Sequence, residues 1–482
     1  MLTRYRAPGA DRAVLADPPR GDWPRLADEN RRRLNAEAVK VGGAPLGELR
    51  QAARREVLGL AAEYLKGEVP SPPPAGGGLS PDAPLVLAGH QPELSHPGVW
   101  VKHFALNGLA KQLGGVSLNL VADTDTLKST SLRLPTWDRF EPGRVHLQSV
   151  PFDTFEAEAP YETREPHDPE LFRTFADRAA PLWANWGYEP LLPQVWPRVV
   201  RCPDTIGGRF ARVRRSYERE WGCHNLELPV SRLARTDAFR RFATHILADR
   251  ERFRAVYNAA VGEYRQAHGI RSANHPVPDL APGETPFWGG PDPAGRRTRT
   301  VTRVDDQTRP RALTLTLFCR LCLGDFFVHG IGGGKYDEVT DALIRDYFGI
   351  EPPRYGVLSA TLHLPLPTFP ATADTVRHLH RRERDLRWNP QRHGAGGPAA
   401  DRKAALIRAE PTGRAERREW FRQLRDATER LQPFVTKEYE GVGEELREAS
   451  QETAANALLR RRDFAWVLFP EGVLRPFLQG FL

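Results

Sequence analysis

The stretch Leu85-Val-Leu-Ala-Gly-His-Gln-Pro-Glu-Leu-Ser-His-Pro-Gly-Val-Trp-Val-Lys-His-Phe-Ala-Leu-Asn-Gly-Leu-Ala-Lys-Gln-Leu-Gly-Gly-Val-Ser-Leu-Asn-Leu-Val-Ala122 decides the fold class. Leu85 to Ala88 is a short apolar run that breaks at Gly89, as a buried strand does. A polar loop follows, and Val101 to Leu113 then repeats its apolar residues at helical spacing. Val116 to Ala122 reads as a second strand. Strand, loop, helix and strand in this order form a right-handed βαβ unit of a parallel sheet. The expected class is therefore α/β, a Rossmann-like parallel-sheet core.

Upstream, Leu46, Leu49, Ala53, Val57, Leu60 and Tyr64 recur at steps of three and four behind Pro45, predicting an amphipathic helix. From Gly67 to Pro84 proline and glycine replace apolar residues, which reads as a linker. Residues 1–80 are thus an N-terminal helical segment with its linker, and 81–370 the core. Downstream, a long helix is expected from a Thr236 cap to Gly269; Ala312 to Leu323 is apolar on nearly every side, so periodicity does not separate a buried helix from a strand, and its leucine content favours helix. A strand is expected over Asp325 to His329, a glycine turn over Gly330 to Gly334, and a helix over Tyr336 to Tyr347. Beyond Pro370, Trp420, Leu424, Ala427, Leu431 and Phe434 follow a coiled-coil spacing that Pro433 interrupts. Residues 371–482 are read as a C-terminal helical arm whose apolar end, from Phe464, packs back on the core and whose helices offer a homodimer contact.

The chain has 482 residues, 69 Lys+Arg against 61 Asp+Glu, and a formal net charge of +8. So mild an excess suggests local anionic ligands in place of a nucleic-acid-coating surface, and no nucleic-acid motif is present. No apolar run approaches the roughly 18–20 residues that span a bilayer. The start, Met1-Leu-Thr-Arg-Tyr-Arg, has no apolar segment behind it, so a soluble cytoplasmic protein is expected. Four cysteines cannot make a disulfide scaffold in so long a chain. Cys319 and Cys322 lie among apolar residues and read as small core side chains.

Three loops carry candidate chemistry. In the first, His90, Gln91 and His96 converge on the ligand edge of a parallel sheet, beside a helix N-terminus suited to an anion. The plain alternative is that both histidines bond loop carbonyls. In the second, Asp123 and Asp125 alternate on extended chain and so present two carboxylates to an amine or a magnesium ion, with Lys128 as a cationic contact. In the third, Gly332, Gly333, Gly334 and Lys335 resemble a phosphate loop, but the P-loop spacing fails and Tyr336 stands where a hydroxyl ligand of magnesium is needed. A glycine turn feeding a helix still offers N–H groups to an anionic substrate; the alternative is a tight turn that needs positive φ. His90 and His96 are not at the i, i+4 spacing of helical metal ligands, which disfavours a metal held by the first loop. Arg387 and Arg392 flank Trp388 and are candidate phosphate contacts, weighed against a solvated charged face.

These landmarks, with Pro286-Phe-Trp288, resemble the bacillithiol-biosynthesis BshC family over roughly residues 80–370. The resemblance implies a Rossmann-like core related to nucleotidyltransferases, a coiled-coil segment supporting dimerisation, and cysteine-adding ligase activity that forms an amide. The family's Gly-Gln-Gln is Gly89-His90-Gln91 here, and its Glu-Asp-His-Asp is Ala122-Asp123-Thr124-Asp125. Gln91, Asp123 and Asp125 match; His90, Ala122 and Thr124 depart, and the family's Gly-Gly-Pro-Gly-Glu lacks its proline and acid here. An amide-forming or nucleotidyl-transfer enzyme with a small anionic, amine-bearing substrate is expected, with His90, Gln91, Asp123 and Asp125 catalytic. ATP or another nucleotide with magnesium is compatible with that chemistry. The competing expectation is a non-catalytic binding protein on a degenerate Rossmann-like scaffold.

Overall fold

Alternate residues of a strand face opposite ways, and in the first core strand Val86 and Ala88 pack into one buried cluster while Leu85 and Leu87 pack into another. A strand apolar on both faces must have helices on both sides. The computed structural model describes residues 5–66, 79–271, 277–291 and 297–482. Most of the expected linker (67–78) lies outside the described residues.

The central sheet has six strands: β1 (Val14–Asp17), β2 (Leu85–His90), β3 (Val116–Val121), β4 (Leu226–Pro229), β5 (Phe326–His329) and β6 (Gly356–Ala360). Their spatial order is β1-β6-β5-β2-β3-β4, parallel throughout except for the antiparallel edge strand β1. The class is α/β with a Rossmann-like parallel core, as expected. The N-terminal segment is not only helical, since it also supplies β1. Its helices α1 (Trp23–Ala36) and α2 (Leu46–Tyr64) lie on opposite faces of the sheet, with α2 starting behind Pro45 as predicted.

The helix after β2, α3 (Pro97–Leu113), begins earlier than its apolar spacing suggests, with His96 as N-cap and Pro97 in the first turn. Its N-terminus presses on the end of β6, where a Cβ on Gly98 would lie 2.1 Å from the Ala360 carbonyl oxygen. A third helix, α4 (Ile206–Glu220), is tied to α3 and β4 by buried charge. Glu218 accepts from Trp100 at 2.5 Å and Arg214 at 2.8 Å and lies 2.6 Å from His103. Glu227 accepts from Asn119 at 2.7 Å and from both Arg214 and Arg215. His103, Glu218 and Glu227 have the proximity of metal ligands, but these arginines already hold the carboxylates.

The single long helix expected from Thr236 is two, α5 (Asp237–Ala248) and α6 (Arg250–His268), because Asp249 leaves the helical region at φ −125°. The break lets Phe242 stack on Phe348 while Phe253 packs edge-on against Tyr347. Ala312–Phe318 is helical as expected and widens into a π turn over Cys319–Leu323, with both cysteines buried. Next comes α7 (Ile331–Asp346). The glycine run is thus the first turn of this helix and not a separate turn, and none of its glycines has positive φ.

In the arm, α8 (Ala373–Trp388) packs on α11 (Thr436–Leu459) through Leu379, Leu386, Val442, Leu446 and Ala449. Between them run α9 (Pro398–Arg408) and α10 (Arg414–Leu431), and Pro433 sits in the break after α10. Of the expected seam, Ala427 and Leu431 are buried but Phe434 is 70% exposed. The return from Phe464 through α12 (Glu471–Gln479) buries Trp466, Phe469 and Leu478 in the core cluster that holds Trp100. Among the described residues no helix is long and apolar enough to cross a membrane.

Candidate functional site

The chain runs outward from β2 through β3 to β4, then returns to place β5 and β6 on the other side of β2. Helix α3 leaves β2 on one face of the sheet and α7 leaves β5 on the other. The order therefore reverses between β2 and β5, and a crevice outside their carboxyl ends is where open α/β sheets take ligands. A cleft of about 1340 Å³ opens there, lined by all three candidate loops. Gly89, His90 and Gln91 come from the end of β2, Thr124 to Lys128 from the end of β3, and Gly330 to Gly333 with Lys335 from the start of α7.

His90 is the last residue of β2, and its Nδ1 lies 3.2 Å from the Gln91 carbonyl. Burial, then the charge of Lys102, hold its pKa well below the usual imidazole range, so it is neutral at pH 7. Gln91 reaches across to the next loop and donates to Asp125 Oδ2 at 2.7 Å. Burial raises the Asp125 pKa against that hydrogen bond. His96 lines the cleft at the N-terminus of α3; burial and then Arg462 bring its pKa down to about 4. Lys128 is exposed at the rim.

Asp123 corrects the expectation of a paired-carboxylate face. The chain turns directly after β3, so the alternation that would align Asp123 with Asp125 does not persist. Asp123 accepts from the Ser231 backbone at 2.9 Å and from the Ser231 hydroxyl, and it does not line the cleft. Gly334 is also outside the lining, packed where a Cβ would meet Val357 at 2.4 Å. Arg387 and Arg392 do not line it either. Both are exposed on the arm, Arg392 paired with Asp385 at 3.2 Å and Arg387 over the Trp388 ring. Replacing Asp123 by alanine is expected to lower stability by about 1–2 kcal/mol, the cost of stranding the Ser231 donors. Asp125→Asn is expected to leave the urea midpoint unchanged and alter only ligand binding, with denaturation and calorimetry on both variants as the check.

Four residues in the cleft carry no motif. Lys102 is 2% exposed, in a helix buried on every side from Trp100 to Ala110. Its ammonium donates to the Gly89 carbonyl at 3.3 Å and, among the described residues, has no carboxylate within 4 Å. It also lies beside Gly330, the N-cap of α7. Burial lowers its pKa to about 8, with Glu93 opposing. His329 ends β5 with its Nε2 2.9 Å from Asp337, which Arg320 holds at 2.8 Å. Gly333 is glycine because a Cβ there would lie 2.7 Å from the His329 Nδ1. Ser359 and Arg462 complete the wall beside His96. A lysine inside an all-buried helix was the one available signal for Lys102; Arg462 hides in the run Arg460-Arg461-Arg462.

The far wall is apolar, with Leu313, Phe327 and Trp288, whose ring carries the Arg311 and Arg299 guanidiniums at 5.0 and 5.6 Å. The site thus joins an aromatic lobe to a cationic floor with two helix N-termini, a surface that suits a ligand with a planar apolar part and an anionic part.

No family model matches the chain, and no curated protein matches it in sequence. Among solved structures it is similar to Plasmodium falciparum tryptophanyl-tRNA synthetase, at 8% identity and TM-score 0.24 over 91% of this chain and 95% of that one. A parasite tRNA synthetase in its product-bound form is similar at 9% identity and TM-score 0.23, over 95% and 94%. Likeness at that level assigns neither activity nor substrate.

Proposed function

We propose that the switch-point cleft is the active site of a ligase-type enzyme of the BshC kind, which activates a carboxylate with a nucleotide and joins it to an amine. The observation that carries this reading is Lys102, a buried ammonium without a carboxylate partner among the described residues, placed beside the N-terminus of α7 at the point where ligands bind in this sheet class. Burying a cation is unfavourable unless an opposite charge arrives, and a phosphate supplies it. The N–H groups of Ile331, Gly332 and Gly333, in the first turn of α7, add donors on the same side.

Amide formation needs the carboxyl oxygen turned into a leaving group; the amine nitrogen then displaces it and gives up a proton. Gln91 fixes Asp125 where it can orient the amine and accept that proton, and neutral His90 adds a second acceptor at pH 7. Gln91 and Asp125, which match the family's motifs, bond each other across two loops, which supports the reading. A two-carboxylate magnesium site is not part of it, since Asp123 is committed to Ser231.

The test is a thermal-shift screen with ATP, ATP plus magnesium, cysteine and amino-sugar conjugates, followed by mass spectrometry of the mixtures. A ligand at about 100 times its Kd stabilises by about 2.7 kcal/mol. Protection by ATP together with an amide product is the expected result. A chain that no nucleotide protects, or that binds one without forming product beside cysteine, is not this ligase.

A further inference from the structure

We infer that the cleft holds a second oxyanion subsite, built by Arg462, His96 and Ser359 at the N-terminus of α3 and distinct from the Lys102 position. Arg462 comes from the arm's return to the core, and its Nη2 donates to Ser359 Oγ at 2.8 Å. Ser359 Oγ in turn donates to the Gly98 carbonyl at 3.3 Å. Arg462 Nη2 and His96 Cε1 both crowd Gly98, at 2.7 and 3.0 Å from where its Cβ would lie, so guanidinium and imidazole are immediate neighbours.

Two nitrogens there have no partner among the described residues: Arg462 Nη1 and His96 Nδ1 are both buried without a hydrogen bond. Arg462 has no carboxylate within 4 Å among the described residues, because adjacent Asp463 is taken by Arg461 at 2.5 Å and lies 3.5 Å from Arg133. Buried polar nitrogens are ordinarily paired, so two orphans on neighbouring side chains of a cleft wall point to a partner from outside the chain. A planar guanidinium with Nη2 held by Ser359 and Nη1 left without a partner among the described residues suits a carboxylate or a phosphoryl group.

The subsite belongs to the same cleft as the proposed ligase site, and so rests on that cleft being a ligand site; it does not depend on the reaction. It makes the substrate class more specific. Besides any nucleotide phosphate at Lys102, the cleft takes a molecule bearing a second oxyanion, a carboxylate-bearing acid or a phosphorylated metabolite.

The test uses the full chain with succinate and inorganic phosphate as probes, measured by calorimetry alone and in the presence of ATP. Arg462→Gln is expected to weaken the preferred probe at least tenfold and to change ATP affinity less than threefold. Lys102→Met is expected to do the reverse. Preference for succinate identifies a carboxylate subsite, preference for phosphate a phosphoryl one. Ser359→Ala, which leaves the charge in place, and Arg462→Lys carry the test if Arg462→Gln fails to fold; each is expected to weaken the probe at least threefold. Neither probe binding the wild type, or probe binding that survives these substitutions, overturns the subsite. Failure of ATP alone to bind, with Arg462-dependent succinate binding retained, overturns the ligase reading and leaves the subsite standing.

Discussion

Replacing Lys102 by methionine is expected to make the protein more stable at pH 7 while removing anion binding at the switch point. Methionine keeps most of the stem's volume inside α3 and removes the charge. In the folded chain burial holds the ammonium's pKa down to about 8, against 10.5 for an ordinary lysine. At 1.36 kcal/mol per unit, that depression withholds on the order of 3 kcal/mol of folding stability whenever the lysine is charged in both states. The sign follows from proton counting. Below pH 8 both states are protonated and the full penalty stands. Between about 8 and 10.5 the unfolded chain binds more protons, so wild-type stability rises with pH and the methionine variant's advantage shrinks.

Anion binding moves the other way. It is expected to be strongest below pH 8 and to weaken above it as the folded lysine loses its proton, an effect absent from Lys102→Arg. Urea denaturation at pH 7 and pH 10, with phosphate calorimetry across the same range, measures both. A methionine variant that is less stable at pH 7 and binds anions normally would make Lys102 a structural residue.

Removing the Asp325 carboxylate is expected to destabilise the fold by about 3–5 kcal/mol, the usual consequence of leaving buried charge unpaired. Asp325 sits just before β5, and its Oδ1 accepts from Arg50 at 2.8 Å and from Arg54, two residues on the buried face of α2. Its Oδ2 accepts from the Leu85 backbone at 2.8 Å, at the start of β2. All three side chains are 3% exposed or less. Burial, and next the charge of Arg54, already push Arg50 down to about 10 despite the carboxylate. Asp325→Ala therefore leaves two buried guanidinium charges without a carboxylate, though each keeps backbone acceptors such as the Leu321 and Leu323 carbonyls, and one backbone donor without its acceptor, at the junction of the two strands that flank the cleft. Substituting Arg50, Arg54 and Asp325 together by leucine or methionine is expected to cost much less than the single change, since no charge is left behind. Urea midpoints of the single and triple variants give the comparison; an Asp325→Ala loss below about 1 kcal/mol would show that water or another group replaces the carboxylate.

The core topology was legible where local pattern and burial agree. The runs at 85–88 and 116–122, and the apolar steps after Pro45, name strands and a helix because each is buried in a way its own periodicity records. The break at Asp249 was not legible, since Phe242 and Phe253 both fit one helical stripe and only their contacts with Phe348 and Tyr347 require two axes. The edge strand β1 was missed because Val14 to Asp17 is short and half-exposed, and becomes a strand by pairing with β6, more than 300 residues away.

For the site, sequence placed His90, Gln91, His96, Asp125, Lys128, Gly332, Gly333 and Lys335 on loops that do meet in one cleft. It joined Asp123 to them by assuming that strand alternation continues past Val121, which a turn prevents. By itself, then, the sequence determined a parallel βαβ unit, the strand at 325–329 and the loops that reach the ligand edge, because those follow from the order of apolar and polar residues along a few turns of chain, whereas β4 and β6 became strands only by pairing in the sheet. Tertiary structure alone decided which charges meet there. Lys102, His329, Ser359 and Arg462 come from a helix, two strand ends and the arm's return, and no local pattern records that a cation far along the chain ends in that wall without a carboxylate beside it.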